Sequence, residues 1–237
     1  MDSEQGKLYL VPTPIGNLED ITQRALRVLG EVDLVACEDT RTTGQLLFHF
    51  NLKKKLISYH EYNERQQAGS LAQEIASGKS VAVVTDAGTP GISDPAYRIV
   101  RAAIDAGIDV VALPGASALL PALTASGLPT DRFHFEGFLA PKTSARKRRF
   151  GELHDYPHTL VFYESPHRLL ACLEDMREVF GDRPACVARE VSKKFEEYAR
   201  GSFSDIIKRF AGRSVKGEIV VVVAGNNPKL IDTQDHT

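Results

Sequence analysis

Five times in its first half the chain repeats one unit: a short aliphatic or β-branched run, a loop, then an amphipathic stretch. The runs occupy 8–11, 34–37, 56–59, 81–85 and 110–113, and the helical patterns lie at 20–29, 41–50, 64–77, 95–106 and 117–126. Strands joined through helices enter one sheet by right-handed crossovers. The alternation therefore predicts an α/β fold with a mainly parallel sheet covered by helices on both faces. Past residue 130 the rhythm changes. Runs at 133–138, 159–163, 185–188, 195–200 and 218–223 alternate with helical stretches at 143–154, 166–180 and 203–211. Only a few residues separate 185–190 from 195–202, which predicts an antiparallel hairpin and hence a mixed sheet. The expected organisation is an N-terminal α/β domain over 1–118, a C-terminal mixed α/β domain over 119–225 and a polar tail over 226–237. The 237 residues suffice for two such domains.

Composition narrows the function classes. With 29 Lys+Arg against 31 Asp+Glu, the chain lacks the basic excess needed to coat nucleic acid by charge alone. The second half is nevertheless relatively basic: 1–120 hold 11 basic and 15 acidic residues, 121–237 hold 18 and 16. Lys142, Arg146, Lys147, Arg148 and Arg149 form its local cluster. Three scattered cysteines, Cys37, Cys172 and Cys186, suit neither a disulfide framework nor a zinc site, and a reducing compartment is the expectation. The polar N-terminus is unlike a signal peptide, and the longest aliphatic run, 219–224, has a strand's length. A cytoplasmic soluble protein is expected.

The common motifs fail one by one. No Gly-x-Gly-x-x-Gly follows a strand. Gly78-Lys79-Ser80 ends like a phosphate-binding loop but precedes a strand, so it reads as a helix-to-strand turn. Gly115-Ala116-Ser117-Ala118-Leu119 lacks the last glycine of a nucleophile elbow, and Ser117 reads as a helix N-cap. The seven histidines show no metal-ligand spacing, so no metal site is expected.

Three strand-end loops remain, dense in glycine and proline: Pro12-Thr13-Pro14-Ile15-Gly16-Asn17, Asp86-Ala87-Gly88-Thr89-Pro90-Gly91 and Pro114-Gly115-Ala116-Ser117. Ligands of open α/β sheets bind beyond the carboxyl ends of the strands. Small residues there let backbone approach a ligand, and prolines hold the loop shape. None of the three loops contains Lys or Arg. A nucleoside-like or amino-acid-like ligand gripped through main-chain groups fits better than a pyrophosphate held by charge.

At these residues the chain resembles a known family. Tyr9 through Thr22, Glu38-Asp39-Thr40-Arg41, Asp86 through Pro90 with Ser93-Asp94-Pro95, Phe162 through Arg168, Ala188-Arg189-Glu190 and Lys216-Gly217-Glu218 are similar to motifs of the tetrapyrrole methylase superfamily. The likeness spans about 6–225 and falls in the branch that methylates a cytidine ribose 2'-hydroxyl in 16S ribosomal RNA of the small subunit. It implies two α/β domains, a homodimer, and S-adenosylmethionine bound in the cleft between the domains. Carried over by motif, Pro12, Asp86, Gly88, Thr89, Ile92 and Ser117 would contact the cofactor from the first domain. Tyr163, Lys216, Gly217 and Glu218 would do so from the second.

A ribose hydroxyl is a poor nucleophile and needs an acceptor for its proton. Asp39, Glu190 and, if burial lowers its pKa, Lys193 are candidates at strand ends, each equally readable as a structural ion pair. The Lys142/Arg146–149 cluster reads either as a solvated helix face or as an RNA-binding, phosphate-tracking patch. Two other functions stay open at this point: a small-molecule methylase acting on a tetrapyrrole carbon, and a catalytically silent RNA- or nucleotide-binding module.

Overall fold

The structure, a computed structural model, describes residues 6–227; the N-terminal pentapeptide and most of the expected tail lie outside the described residues. The chain divides into two compact units, with the break between Ser117 and Ala118.

In the first unit, strands β1 (Leu8–Leu10), β2 (Leu34–Cys37), β3 (Lys55–Ser58), β4 (Val81–Val84) and β5 (Val110–Ala112) alternate with helices α1 (Gln23–Glu31), α2 (Thr40–His49), α3 (Glu64–Ala76) and α4 (Tyr97–Asp105). The sheet is wholly parallel, in the order β3-β2-β4-β1-β5. Strands of such a sheet are buried on both faces and read as continuous apolar runs. Leu34, Ala36, Val81 and Val83 enter one core with Leu71, Ile75 and Ile99. Val35, Cys37, Ala82 and Val84 enter the opposite core with Val28, Leu29 and Leu47. Each such Val or Leu contributes about 1.5–3 kcal/mol by leaving water. Local signals set the helix starts: Thr22 Oγ1 accepts from the Ala25 amide at 3.0 Å, and α1 then buries Ala25, Val28 and Leu29 on one stripe.

The second unit carries α5 (Leu119–Thr124), β6 (Phe133–Phe138), α6 (Thr143–Leu153), β7 (Thr159–Glu164), α7 (Leu169–Phe180), β8 (Pro184–Arg189), β9 (Glu197–Ser202), α8 (Phe203–Phe210) and β10 (Ile219–Val223). Its sheet, in the order β6-β7-β10-β8-β9, is mixed. β6 and β7 run parallel, and the remaining neighbours, including the expected β8–β9 hairpin, are antiparallel. Helices α6, α7 and α8 bury Phe150, Leu173, Met176, Phe203 and Phe210 against Phe162, Val187 and Val221.

One local expectation is corrected. Ser117 is not a helix cap: α5 starts at Leu119 with Ala118 before it and no side-chain cap. A helix capped at Ser117 would need the amide of residue 121 to bond the Ser117 carbonyl, and Pro121 has no N–H. The first such bond instead runs from Ala122 to Ala118 at 3.2 Å. The Gly78-Lys79-Ser80 segment is the helix-to-strand turn expected, with Gly78 at φ +103°.

Candidate functional site

β1, β4 and β5 are neighbours in the sheet, so the three Gly/Pro loops leave it side by side from their carboxyl ends. They interlock through main chain. Thr13 and Gly88 exchange both backbone hydrogen bonds, at 2.9 and 3.0 Å. Buried Thr13 also donates its hydroxyl to the Thr85 carbonyl at 3.0 Å. Thr89 Oγ1 donates to the Ala116 carbonyl at 2.9 Å, which ties the loop after β4 to the loop after β5. Gly115 lies against Pro12 so closely that a Cβ there would sit 2.5 Å from the proline Cβ. Gly88 holds φ +94°, and a Cβ on it would stand 3.4 Å from Ile15 and 3.8 Å from the Ala116 carbonyl. Glycine at these two positions lets three turns share one space.

Carboxylates gather at one end of this cluster. Glu38, which follows β2, accepts from Thr85 Oγ1 at 2.9 Å, and the Asp39 amide donates to Asp86 at 3.2 Å. Burial raises the Asp86 pKa against the pull of the Asp39 amide, and the charges of Glu38 and Asp39 add to the rise. Half-buried Asp94 is pushed up to about 6, by burial first and then by the Glu38 charge, with Thr85 working the other way. Asp94 was visible only as part of a Ser-Asp-Pro string, since burial of a loop carboxylate leaves no pattern in sequence.

A hollow of about 380 Å³ opens beside these loops in the first unit. Thr13, Pro14, Gly16 and Leu18 line one side, Thr42, Thr43, Gln45, Leu46 and His49 of α2 the other, with Thr85 and Asp86 between. Thr42, Gln45, Leu46 and His49 share a helix face at offsets of three, four and seven. Sequence reading passed over this face because His49 fits no metal-ligand spacing and the polar residues here resemble an ordinary solvated stripe. Among the described residues no cluster of His, Cys, Asp or Glu could hold a metal ion.

The three base candidates occupy different roles. Asp39 is the N-cap of α2: its carboxylate accepts from the Arg41 amide at 2.8 Å and pairs with the Arg41 guanidinium. That guanidinium, with the amide, holds the Asp39 pKa down at about 2, so Asp39 is a feeble base. Lys193 reverses its expected shift. Burial does pull its pKa down, but Glu190 at 3.0 Å and Glu218 at 3.1 Å outweigh it, and the net shift is upward. An ammonium held this way cannot take up a proton. Glu190, at φ +54°, bonds Lys193 and the Glu218 amide, the latter at 3.0 Å. Burial works to raise its pKa, but those partners bring it below the ordinary value. Its carboxylate fills the place a side chain on Gly217 would take, 2.3 Å from that Cβ. Gly217, at φ +92°, and Glu218 therefore belong to one locked turn with Glu190, while the neighbouring Lys216 is exposed. Tyr163 on β7 stacks edge-on with Phe135 and Phe138, at 4.9 and 5.4 Å between ring centres. Ile92 is partly exposed on the loop after β4.

The basic cluster is largely spent on internal partners. Arg146 is only 2% exposed, so it is withdrawn as an RNA contact. Its Nε donates to Asp175 at 2.9 Å and its Nη1 to the Pro141 carbonyl at 3.1 Å, which fixes α6 to α7. Lys147 pairs with Glu178 at 2.6 Å, and Arg149 grips Glu136 through two bonds of 2.7 and 2.8 Å. Lys142 and Arg148 remain exposed, with no carboxylate paired to them among the described residues. The three cysteines are buried and unbridged, and no helix is long and apolar enough to cross a membrane among the described residues.

Two α/β units are what the sequence resemblance implies, and the parallel first sheet and mixed second sheet are those the strand rhythm predicts. Residues 7–207 match the family model of the tetrapyrrole (corrin/porphyrin) methylases, and the chain belongs to that family, an enzyme family of methyltransferases. The uroporphyrin-III-C-methyltransferase of Thermus thermophilus shares the fold, with a TM-score of 0.65 at 23% identity over 95% of this chain and 96% of that one. More specific are two curated relatives, each named ribosomal RNA small subunit methyltransferase I. The Streptococcus pyogenes protein (serotype M18) is 51% identical over 93% of this chain and 77% of its own length. That of Vibrio cholerae is 50% identical over 92% of this chain and 77% of its own.

Proposed function

We propose that the protein uses S-adenosylmethionine to methylate 16S ribosomal RNA of the small ribosomal subunit, at the ribose 2'-hydroxyl of a cytidine. Identity of about half over most of the chain to relatives of that name is the observation that carries this reading. The first unit's loops fit the cofactor. Gly88 and Gly91, at φ +94° and +87°, present bare backbone, and no Lys or Arg lies within the loops to repel a sulfonium. Asp86 and Asp94 supply carboxylates suited to an ammonium or to ribose hydroxyls. When bound, S-adenosylmethionine supplies an activated methyl group.

Pro12, Gly88, Thr89 and Ser117 act by shape and main-chain contact. A carboxylate beside the donor sulfur would favour the charged ground state over the transition state, in which that charge disperses, so small neutral residues are the better lining. Positioning then supplies most of the rate, up to about 7–11 kcal/mol for well-oriented reactants. Asp86, Ile92, Tyr163, Lys216, Gly217 and Glu218 complete the proposed cofactor-binding set. Lys142 and Arg148 are the proposed phosphate contacts, and a homodimer is the proposed assembly, which sedimentation at several concentrations tests. The decisive experiment incubates small subunits from a strain lacking the protein with it and labelled methyl donor. Label in 2'-O-methylcytidine of 16S RNA is expected; label in no RNA nucleoside refutes the proposal.

A further inference from the structure

The hollow beside α2 has a chemistry distinct from that of the glycine turns. Pro14, Leu18 and Leu46 give it flat apolar surfaces, while Thr42, Gln45, His49 and Asp86 bring hydroxyl, amide, imidazole and carboxylate groups. No Lys or Arg lines it, which disfavours a phosphate. A carboxylate at one end disfavours any anion. A neutral heterocycle suits it, with apolar faces and hydrogen-bonding edges. Its volume of about 380 Å³ falls within the usual range of about 300–1,000 Å³ for small-molecule sites.

Its place matters as much as its lining. Thr13 and Asp86 border the hollow and also belong to the loops that Gly88 and Thr89 tie together. An acceptor hydroxyl has to come within about 3–3.5 Å of the methyl it receives, and the base on the same sugar then lies one ring further out. We infer that this hollow, between the loop after β1 and helix α2, receives the nucleobase of the acceptor nucleotide once it leaves its stack. The inference rests on the RNA methyltransferase reading above. Pro14, Leu18 and Leu46 contact the base faces, and Gln45 bonds its edge. The Gln45 side-chain carbonyl takes that bond from an exocyclic amine, which cytosine has and uracil lacks, while Asp86 stays with the cofactor.

Gln45 is exposed on α2, so replacing it leaves the core intact. With wild-type protein, Gln45→Ala and the hollow-filling Gln45→Phe, the test measures methylation of unmodified small subunits by steady-state kinetics and S-adenosylmethionine binding by calorimetry. Gln45→Ala is expected to lower kcat/KM for the subunit by roughly tenfold. Gln45→Phe is expected to abolish methylation, and both variants should bind S-adenosylmethionine within about twofold of wild type. Wild-type rates in Gln45→Phe overturn the inference. A parallel loss of cofactor binding also overturns it, because the hollow would then belong to the cofactor. If the wild-type protein itself methylates no RNA, the underlying reading falls and takes the inference with it.

Discussion

Gly115→Ala adds one methyl group at the tightest point of the loop cluster. The new Cβ would lie 2.5 Å from Cβ and 2.8 Å from Cγ of Pro12. Carbon atoms settle at about 3.5–4.0 Å, so one loop has to move by roughly 1 Å. Pro12 has little freedom to yield. Its ring fixes φ, the Val11 amide is bonded to Val83, and Thr13 is pinned twice to Gly88. The loop after β5 moves instead, and the Thr89–Ala116 bond at 2.9 Å lengthens with it. Overpacking of this kind costs about 1–3 kcal/mol of stability. A misplacement of about 1 Å can cost on the order of a hundredfold in rate. The expected variant is folded by circular dichroism, binds S-adenosylmethionine weakly by calorimetry, and transfers methyl in single-turnover assays about a hundredfold more slowly. Gly69→Ala on α3 is the control, since a Cβ there meets nothing within 4 Å. Removing a helical glycine should stabilise by about 0.5–1 kcal/mol and leave activity unchanged. Wild-type affinity and rate in Gly115→Ala would refute the idea that these turns form the cofactor seat.

Two further outcomes are expected. Arg146→Ala leaves buried Asp175 with only Lys147, at 3.7 Å, as an ionic partner, so chemical denaturation should show a loss of about 3 kcal/mol, the lower end for breaking a buried pair. Lys142→Ala and Arg148→Ala should instead leave stability within about 0.5 kcal/mol and each flatten the log–log salt dependence of RNA binding by about one; an undiminished slope returns both residues to plain solvation. Asp94 gives a pH signature. With a folded pKa of about 6 against an ordinary 3.8, the folded chain binds the proton more tightly than the unfolded one. Its contribution therefore favours folding at low pH and is lost as pH rises from about 4 to 6. Asp94→Asn should match wild type near pH 4 and exceed it at pH 7 by up to about 3 kcal/mol, and parallel stability curves across that range would contradict the placement.

Much of this fold is legible because its signals are local. Apolar runs mark β2 and β4, Thr22 and Ser202 cap α1 and α8, and each element stands within a few residues of its expected bounds. The adjacency of the three loops was legible in part, since parallel strands present their carboxyl ends on one edge. Strand order was not. Nothing near Thr13 announces that Gly88 will pair with it. The misreadings share a cause in distance along the chain. Arg146 looks like a free charge until Asp175 arrives on another helix, and Lys193 looks like a base until Glu218 comes from the turn before β10. Ser117 failed for a nearer reason, the missing amide of Pro121.

The order β3-β2-β4-β1-β5 also dictates a sequence of events during synthesis. β2 and β3 can join early, whereas Leu8 of β1 finds its partners only at Val81 and Val110. Strand β1 therefore waits for most of its unit, with an apolar Leu-Tyr-Leu edge exposed. The parallel sheet is completed last, when β4 and β5 pair with β1, and a nascent chain halted before residue 110 would be a target for chaperones.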